Sequence, residues 1–435
     1  MIRVVLTTCF ALIALPAAAI DIKEVTSPGG IKAWLVEEHS IPFTALEIRF
    51  KGGASLDRED KRGAAHLMSG LLDEGAGELD STEFASAAEA LALKYGFDAS
   101  SDSFSVSAQF LTENRDASVD LLRKAINEPR FDQPAVDRVR GQVLSIIASE
   151  EEDPNDIASK TFAALAYGDH PYATKLEGTA ESVTALTRED LIQSHQDLLT
   201  RDRVFVGAVG DITAEELGVI LDELLGNLPE TGPDLPGPAP FLLDGGETIV
   251  PYDTPQSVAI FGHEGIERDD PDFFAAYVMN QVLGSGGFGS RLMDEVREKR
   301  GLTYGVYSYL VLREHVNLVM GQVSSSNDSV AEAISVIRGE WAKMADEGVT
   351  AEELERAKTY LTGAYPLRFD GNARIANILA AMQFDDLPIG YIDSRNDQVE
   401  AVTQDDIKSV AKRLLKPENL HFVVVGQPTG LDASN

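Results

Sequence analysis

LTREDLIQSHQDLLTRDRVFVGAVGD, residues 186–211, returns in a second form as VTQDDIKSVAKRLLKPENLHFVVVGQ, residues 402–427. Thr187 pairs with Thr403, Leu198-Leu199 with Leu414-Leu415, and Gly210 with Gly426, all at one offset of 216 residues. Upstream, DQPAVDRVRGQVL resembles TAEELERAKTYL, with Arg138 opposite Arg356 at an offset of 218. A spacing held constant over such a distance marks an internal duplication. Each half of the 435 residues is then one domain of similar fold, long enough to bury its own core. The break lies in LPETGPDLPGPAPFLLDGGE, residues 228–247, where five prolines and four glycines disfavour regular structure. The expected division is a domain over 20–228, a linker over 229–246 and a second domain over 247–435.

Local patterns give the layers. ALEIRFKGG sets Leu46, Ile48 and Phe50 against Glu47, Arg49 and Lys51, which predicts a half-buried strand. SFSVSAQF alternates Phe104, Val106, Ala108 and Phe110 in the same way. STEFASAAEALALKYG predicts a helix opened by an Asp80/Glu83 capping box and followed by Gly96. DDPDFFAAYVMNQVL predicts another, with Asp270 as cap and Pro271 in its first turn. The fold expected is α+β: two duplicated domains, each a mostly antiparallel sheet with helices packed on one face.

The N-terminus follows a different logic. MIRVVLTTCFALIALPAAAIDI has Arg3, an apolar run from Val4 to Leu15 and then Ala17-Ala18-Ala19, the pattern of a secretory signal over 1–19 cleaved near Ala19. The run is short for a membrane span, and no later stretch approaches twenty apolar residues. The expectation is a periplasmic protein beginning near Ile20, whose mature chain holds no cysteine, because the single Cys9 falls inside the signal. With 71 acidic against 37 basic residues the net charge is −34, which argues against nucleic acid as a partner; it could favour basic peptides, but the plainer reading is solubility.

Tests for catalytic chemistry mostly exclude. The seven histidines, at 39, 66, 170, 195, 263, 315 and 421, include no i,i+4 pair, the spacing that lets two imidazoles on one helix face reach one ion. In GAAHLMSGLLDEG, residues 63–75, His66 is followed at the positions of the inverted zinc motif by Ser69 and Gly70. A lone imidazole holds zinc poorly, so His66 reads as a half-buried helix histidine bonded to a backbone carbonyl. GSGGFG, with Gly284, Gly286, Gly287 and Gly289, matches a dinucleotide pattern but follows a helix and lacks the Lys-Ser/Thr of a phosphate loop. It reads as a flexible loop beside a binding surface. No G-x-S-x-G elbow is present, and the carboxylates of ASEEEDPND read as a solvated face. In SRLMDEVREKRGLTYGVYSYLV, residues 290–311, a charged helix should run to about Arg300 with Gly301 at its C-cap. A strand should follow with Tyr304, Val306 and Ser308 on one face, so that Arg297 and Tyr304 could point into one site.

Three of these segments together resemble one family. GAAHLMSGLLDEGAG stands where pitrilysin/insulinase-type inverzincin metallopeptidases carry a G-x-A-H-x-x-E-H helix. HPYATKLEGT, residues 170–179, and GSGGFGSRLMDEVREKRGLTYGVYS, residues 284–308, are similar to further segments of the small two-domain bacterial and mitochondrial-processing kind. The resemblance implies that His66 matches the first zinc histidine, that Ser69 replaces the general-base glutamate, that Gly70 replaces the second histidine, and that Ile146 stands at the distal glutamate. It also implies that Arg297 and Tyr304, seven apart, match an arginine and a tyrosine that bind substrate peptide across from the zinc. Some members work as heterodimers in which one chain keeps zinc and the other keeps this pair. The chain is then expected to hold no cofactor itself and to be inactive alone. Its expected partners are a homologous H-x-x-E-H subunit supplying zinc and a peptide substrate lying extended on a sheet edge. The alternative is a non-proteolytic binding or scaffold protein of the same fold.

Overall fold

The structure, a computed structural model, describes residues 20–431, so the signal-like segment 1–19 and Cys9 lie outside the described residues. The duplicated stretch folds the same way twice. Thr187 accepts the Asp190 N–H at 3.2 Å while the Asp190 carboxylate accepts the Thr187 N–H at 2.9 Å, and this box starts the helix Arg188–Leu198. Thr403 and Asp406 repeat the box at 3.1 and 2.9 Å and start the helix Gln404–Leu414. Each helix delivers the chain to a buried strand, Val204–Gly210 or His421–Gly426. Both strands end on a glycine with positive φ, +138° at Gly210 and +152° at Gly426. A Cβ there would come within 2.2 Å of the Phe43 carbonyl oxygen or 2.3 Å of Ser257 Oγ.

Around these strands stand two sheets of matching plan. The first has six strands in the order Lys23–Thr26, Lys32–Glu37, Val204–Gly210, Phe43–Lys51, Ser103–Leu111, Lys94–Ala99. The second has five, in the order Thr303–Leu312, Asn317–Ser326, Gln256–Glu264, His421–Gly426, Gly246–Pro251. Each contains one parallel pair, Lys32–Glu37 with Val204–Gly210 and Gly246–Pro251 with His421–Gly426, and is otherwise antiparallel. The inner faces carry the predicted alternation. Leu46, Ile48, Phe50, Phe104 and Val106 meet the helices of the first half, and Phe261 packs on Phe422, ring centres 4.8 Å apart and tilted by 30°, in the second.

The outer faces are where periodicity misleads. The strand Phe43–Lys51 is covered on both sides, and Glu47, expected on a solvated face, is 6% exposed. The cover is the helix Asn372–Phe384 of the second half, which lays Ala376 and Leu379 on Ala45 and Val209. Gly207 permits the close approach, since a Cβ there would meet the Ala376 carbonyl oxygen at 2.1 Å. The helix Pro154–Tyr167 of the first half does the reverse and buries Phe162 and Ala158 against Val258, Ile260 and Val423 of the second sheet. Burial of side chains as large as Leu379 or Phe162 stabilises by roughly 1.5–3 kcal/mol each, so the two halves are interlocked by exchanged helices. The Pro/Gly-rich segment forms no helix or strand between Pro229 and Gly245, yet it packs Ala239, Phe241 and Leu243 beside Phe162 and Tyr167.

Three local expectations shift. The helix opened by Asp80 spans only Ser81–Ala90, and Gly96 falls inside the edge strand Lys94–Ala99, because pairing with Ser103–Leu111 outcompetes helix propensity. Asp272, not Asp270, takes the N-cap position of the helix Phe273–Asn280, without a side-chain capping bond, and Asp270 instead accepts the Asp272 N–H at 2.8 Å. The charged segment before Gly301 is π-helical over Met293–Glu298, while Gly301 itself takes the left-handed turn, φ +66°.

Candidate functional site

The Gly63–Gly75 stretch builds a short helix, Ala64–Ser69. Its start is held by Asp57, whose carboxylate accepts the Gly63 and Ala65 N–H groups at 2.9 and 3.0 Å. His66 is half-buried, as expected, but among the described residues its imidazole has no backbone carbonyl partner. Instead the His66 carbonyl accepts the Ser69 hydroxyl at 2.8 Å. The helix stops at Gly70, where a second ligand would be needed. Gly70 is exposed, and a Cβ there would meet Val139 Cγ1 of the helix Gln133–Glu150 at 3.2 Å. Ile146, on that helix, points an apolar side chain outward at 44% exposure. Ser69, Gly70 and Ile146 offer no charged donor, and among the described residues no three His, Cys, Asp or Glu side chains gather as a metal would require. This donor set does not fit zinc.

The second-half motif is differently built. Two π-helical turns, Gln281–Ser285 and Met293–Glu298, flank the glycine-rich loop. Such turns insert one residue into the helical register and are frequent at functional sites. Met293 and Val296 anchor the second turn in the core, and Arg297 projects beside them. Its guanidinium lies over the Phe288 ring at 4.6 Å, and Nη1 stands 3.4 Å from Glu298 Oε1 but is buried without a hydrogen-bond acceptor. Phe288 is the residue the sequence reading missed. It is the one bulky side chain in GSGGFG, 72% exposed, and that oddity was its signal. The glycines set the loop: Gly284 lies against the strand, where a Cβ would meet Ser308 Oγ at 2.2 Å, and the Gly289 carbonyl accepts from Arg356 at 3.0 Å. Gly286 and Gly287 join the two turns, with Gly287 at φ +57°.

Tyr304 corrects the expected strand phase. The pairing of Thr303–Leu312 with Asn317–Ser326 is irregular between Thr303 and Val306. The Thr303 hydroxyl fixes the irregularity by accepting the Gly305 N–H at 3.0 Å and donating to the Ser324 carbonyl at 2.6 Å. Val306 and Ser308 therefore turn into the core while Tyr304 stands 85% exposed at the open edge of the sheet. The strand Thr303–Leu312 packs against the π-helical turn that carries Arg297.

A further cluster came from the charge run read as a solvated face. Glu150 and Asp156 bind Lys175, at 3.1 and 2.7 Å, at one end of a cavity of about 550 Å³. Ile147, Ile157 and Leu165 form its apolar wall, and burial pushes the Glu150 carboxyl above its ordinary value. Asp153 caps the helix Pro154–Tyr167, so only Glu151 and Glu152 of that run remain plainly solvated. Lys175 comes from HPYATKLEGT, whose Tyr172 is buried and donates to Asp102 at 2.5 Å. The cluster could not be seen locally, since its members lie 19 and 25 residues from Lys175 in sequence.

Comparison with known proteins places these features. Residues 33–180 match the model described as Insulinase (Peptidase family M16), and residues 185–361 match the one described as Peptidase M16 inactive domain. The chain is 27% identical to the non-peptidase homolog YmxG of Helicobacter pylori over 391 residues, covering 89% of this chain and 90% of that one. It is likewise 27% identical to an uncharacterized zinc protease of Mycobacterium bovis, covering 92% of each. Among solved structures, a peptidase M16 inactive domain from Pseudomonas fluorescens superposes with a TM-score of 0.88 at 28% identity, covering 95% of this chain and all of that one. A protease from H. pylori superposes at 0.84 with 17% identity, which speaks for the fold alone.

Proposed function

We propose, from the premise that the chain belongs to the insulinase (M16) peptidase family, that it is the non-metal subunit of a periplasmic heterodimeric zinc peptidase. The observation that carries the reading is a contrast. Three of the four positions for zinc and its base, Ser69, Gly70 and Ile146, lack the needed groups, while Arg297, stacked on Phe288, and Tyr304, presented at a strand edge, retain theirs. A partner chain with H-x-x-E-H would hold the metal and the general base. In this chain Arg297 and Tyr304 would donate hydrogen bonds to the substrate carbonyl oxygen, where negative charge develops in the transition state. The open edge of Thr303–Leu312 offers backbone groups to an extended peptide, which gives affinity with loose sequence preference, and the loop Gly284–Gly289 would border that peptide. Export through the segment ending at Ala19 would bring the subunit to the periplasm.

The test is reconstitution with a zinc-bearing homologue. Arg297→Ala should leave assembly and the partner's zinc unchanged and lower turnover by roughly 10²–10³, the usual loss for one oxyanion donor. Tyr304→Phe should lower it similarly, with kcat falling more than KM rises. The second reading, a non-proteolytic scaffold, is supported by the relative described as a non-peptidase homolog. Assembled variants that cleave peptides at the wild-type rate would make it the better one.

A further inference from the structure

A second cavity, of about 340 Å³, opens behind the exchanged helix Asn372–Phe384. That is the small end of the range for ligand sites. Carboxylates outnumber cations 71 to 37 in this chain, so an arginine should find one easily. Yet this cavity is lined by Arg268, Arg368 and Arg395 against a single carboxylate, Asp385. None of the three arginines forms an ion pair within 4.0 Å among the described residues.

Arg395 is the most constrained. It is 4% exposed, and its Nη1 donates to the Leu361 carbonyl at 2.8 Å and to Asn396 Oδ1 at 2.9 Å. Its Nη2 donates to the Tyr277 hydroxyl at 3.3 Å, and its guanidinium lies 4.6 Å from the Tyr365 ring centre. Arg268 lies over Phe273 at 4.1 Å and Tyr391 at 5.0 Å, and donates to the Tyr391 hydroxyl. Aromatic faces recover part of a cation's lost hydration, but a buried charge without a counter-ion stays costly. Asp385 is not within ion-pair distance of any of them, and burial raises its carboxyl against the opposing pull of Arg268. The lining thus sets three arginines against one carboxylate among aromatic rings, although Arg268 also borders an adjoining cavity that holds Glu267, Asp269 and Glu314.

We propose that this cavity binds a small organic anion, a carboxylate carried on an aromatic body, with Arg268 and Arg395 facing the carboxylate and the rings of Phe273, Phe274 and Tyr391 enclosing the body. A free aromatic acid and the last residue of a peptide ending in phenylalanine share this chemistry. The site is distinct from Arg297 and Tyr304, so it stands or falls independently of the peptidase reading. Because one face of Asn372–Phe384 lines the cavity and another packs on the first sheet, the bound anion would also tighten the interlock between halves.

The experiment is calorimetric titration of the isolated chain with N-acetyl-phenylalanine, N-acetyl-phenylalaninamide, the peptide Ala-Ala-Ala-Phe and inorganic phosphate, with melting temperature as a second readout. The acid should bind and raise the melting temperature, and the amide should bind at least tenfold more weakly. Arg268→Gln should weaken the acid at least tenfold while leaving the amide unaffected. Peptide binding as tight as that of the free acid would identify the peptide terminus as the occupant, and binding of the free acid alone would identify a small metabolite. Should Arg268→Gln not fold, the acid-to-amide ratio on the wild-type chain decides the matter. Equal binding of acid and amide, binding of phosphate but not the acid, or no binding at millimolar acid would overturn the proposal.

Discussion

Glu47→Gln tests the interlock between the halves. Glu47 lies on the central strand, paired in register with Gly207, under the exchanged helix. Asn377 of that helix donates to its Oε1 at 3.2 Å, and Arg49 Nη2 stands 3.8 Å away. Burial pushes its carboxyl up to about 6 from an ordinary 4.5, against the opposing pull of Arg49 and the Asn377 bond, with Asp98 adding to the rise. A carboxyl whose folded pKa is raised binds its proton more tightly in the folded chain. The stabilisation is therefore fully present below about pH 4.5 and is lost as pH rises through about 6. A difference of about 1.5 pH units corresponds to about 2 kcal/mol. Glutamine keeps an oxygen for Asn377 and cannot ionise. The variant should match wild type near pH 4 and exceed it near pH 7.5 by up to about 2 kcal/mol, a few degrees of melting temperature. Thermal unfolding followed by circular dichroism across that range measures the difference. Two curves separated by a constant offset would refute the burial argument. A variant less stable near pH 7.5 would show that the ion pair with Arg49 outweighs desolvation.

Other expectations follow from the same structure. Gly207→Ala should lower stability by about 1–3 kcal/mol, the cost of forced overpacking, because its Cβ would strike the Ala376 carbonyl; an unchanged denaturation midpoint would contradict the close approach. After dialysis against zinc-free buffer the isolated chain should carry far less than one zinc per molecule, and His66→Ala should not alter the amount; stoichiometric metal lost on that substitution would overturn the reading of the helix. Phe288→Ala removes the ring beneath Arg297, so turnover of a reconstituted enzyme should fall with folding intact, and a wild-type rate would show that the stack has no role in positioning the arginine.

What the sequence determined by itself was local or periodic. The repeated Thr-x-x-Asp boxes, the Gly210/Gly426 pair and the alternation around Phe50 and Phe104 act within a few residues, so duplication and layer architecture could be read directly. The vacant zinc positions were legible for the same reason: His66, Ser69 and Gly70 lie within one helical turn, and their chemistry is fixed by identity. Tertiary structure alone decided the rest. Periodicity says which face of a strand is apolar, but not that a helix from 330 residues away in sequence will cover Glu47 on the other face. The Thr303 hydroxyl reversed the phase of Tyr304 through a bond to Ser324 on the neighbouring strand, and a one-residue irregularity exchanges the two sides of a strand. The arginine-lined cavity joins Arg268 to Arg395, and their lack of carboxylate partners is a property of packing. Charge counts and patterns along a chain describe what each residue can do, whereas burial and partners depend on which distant segments the fold brings together.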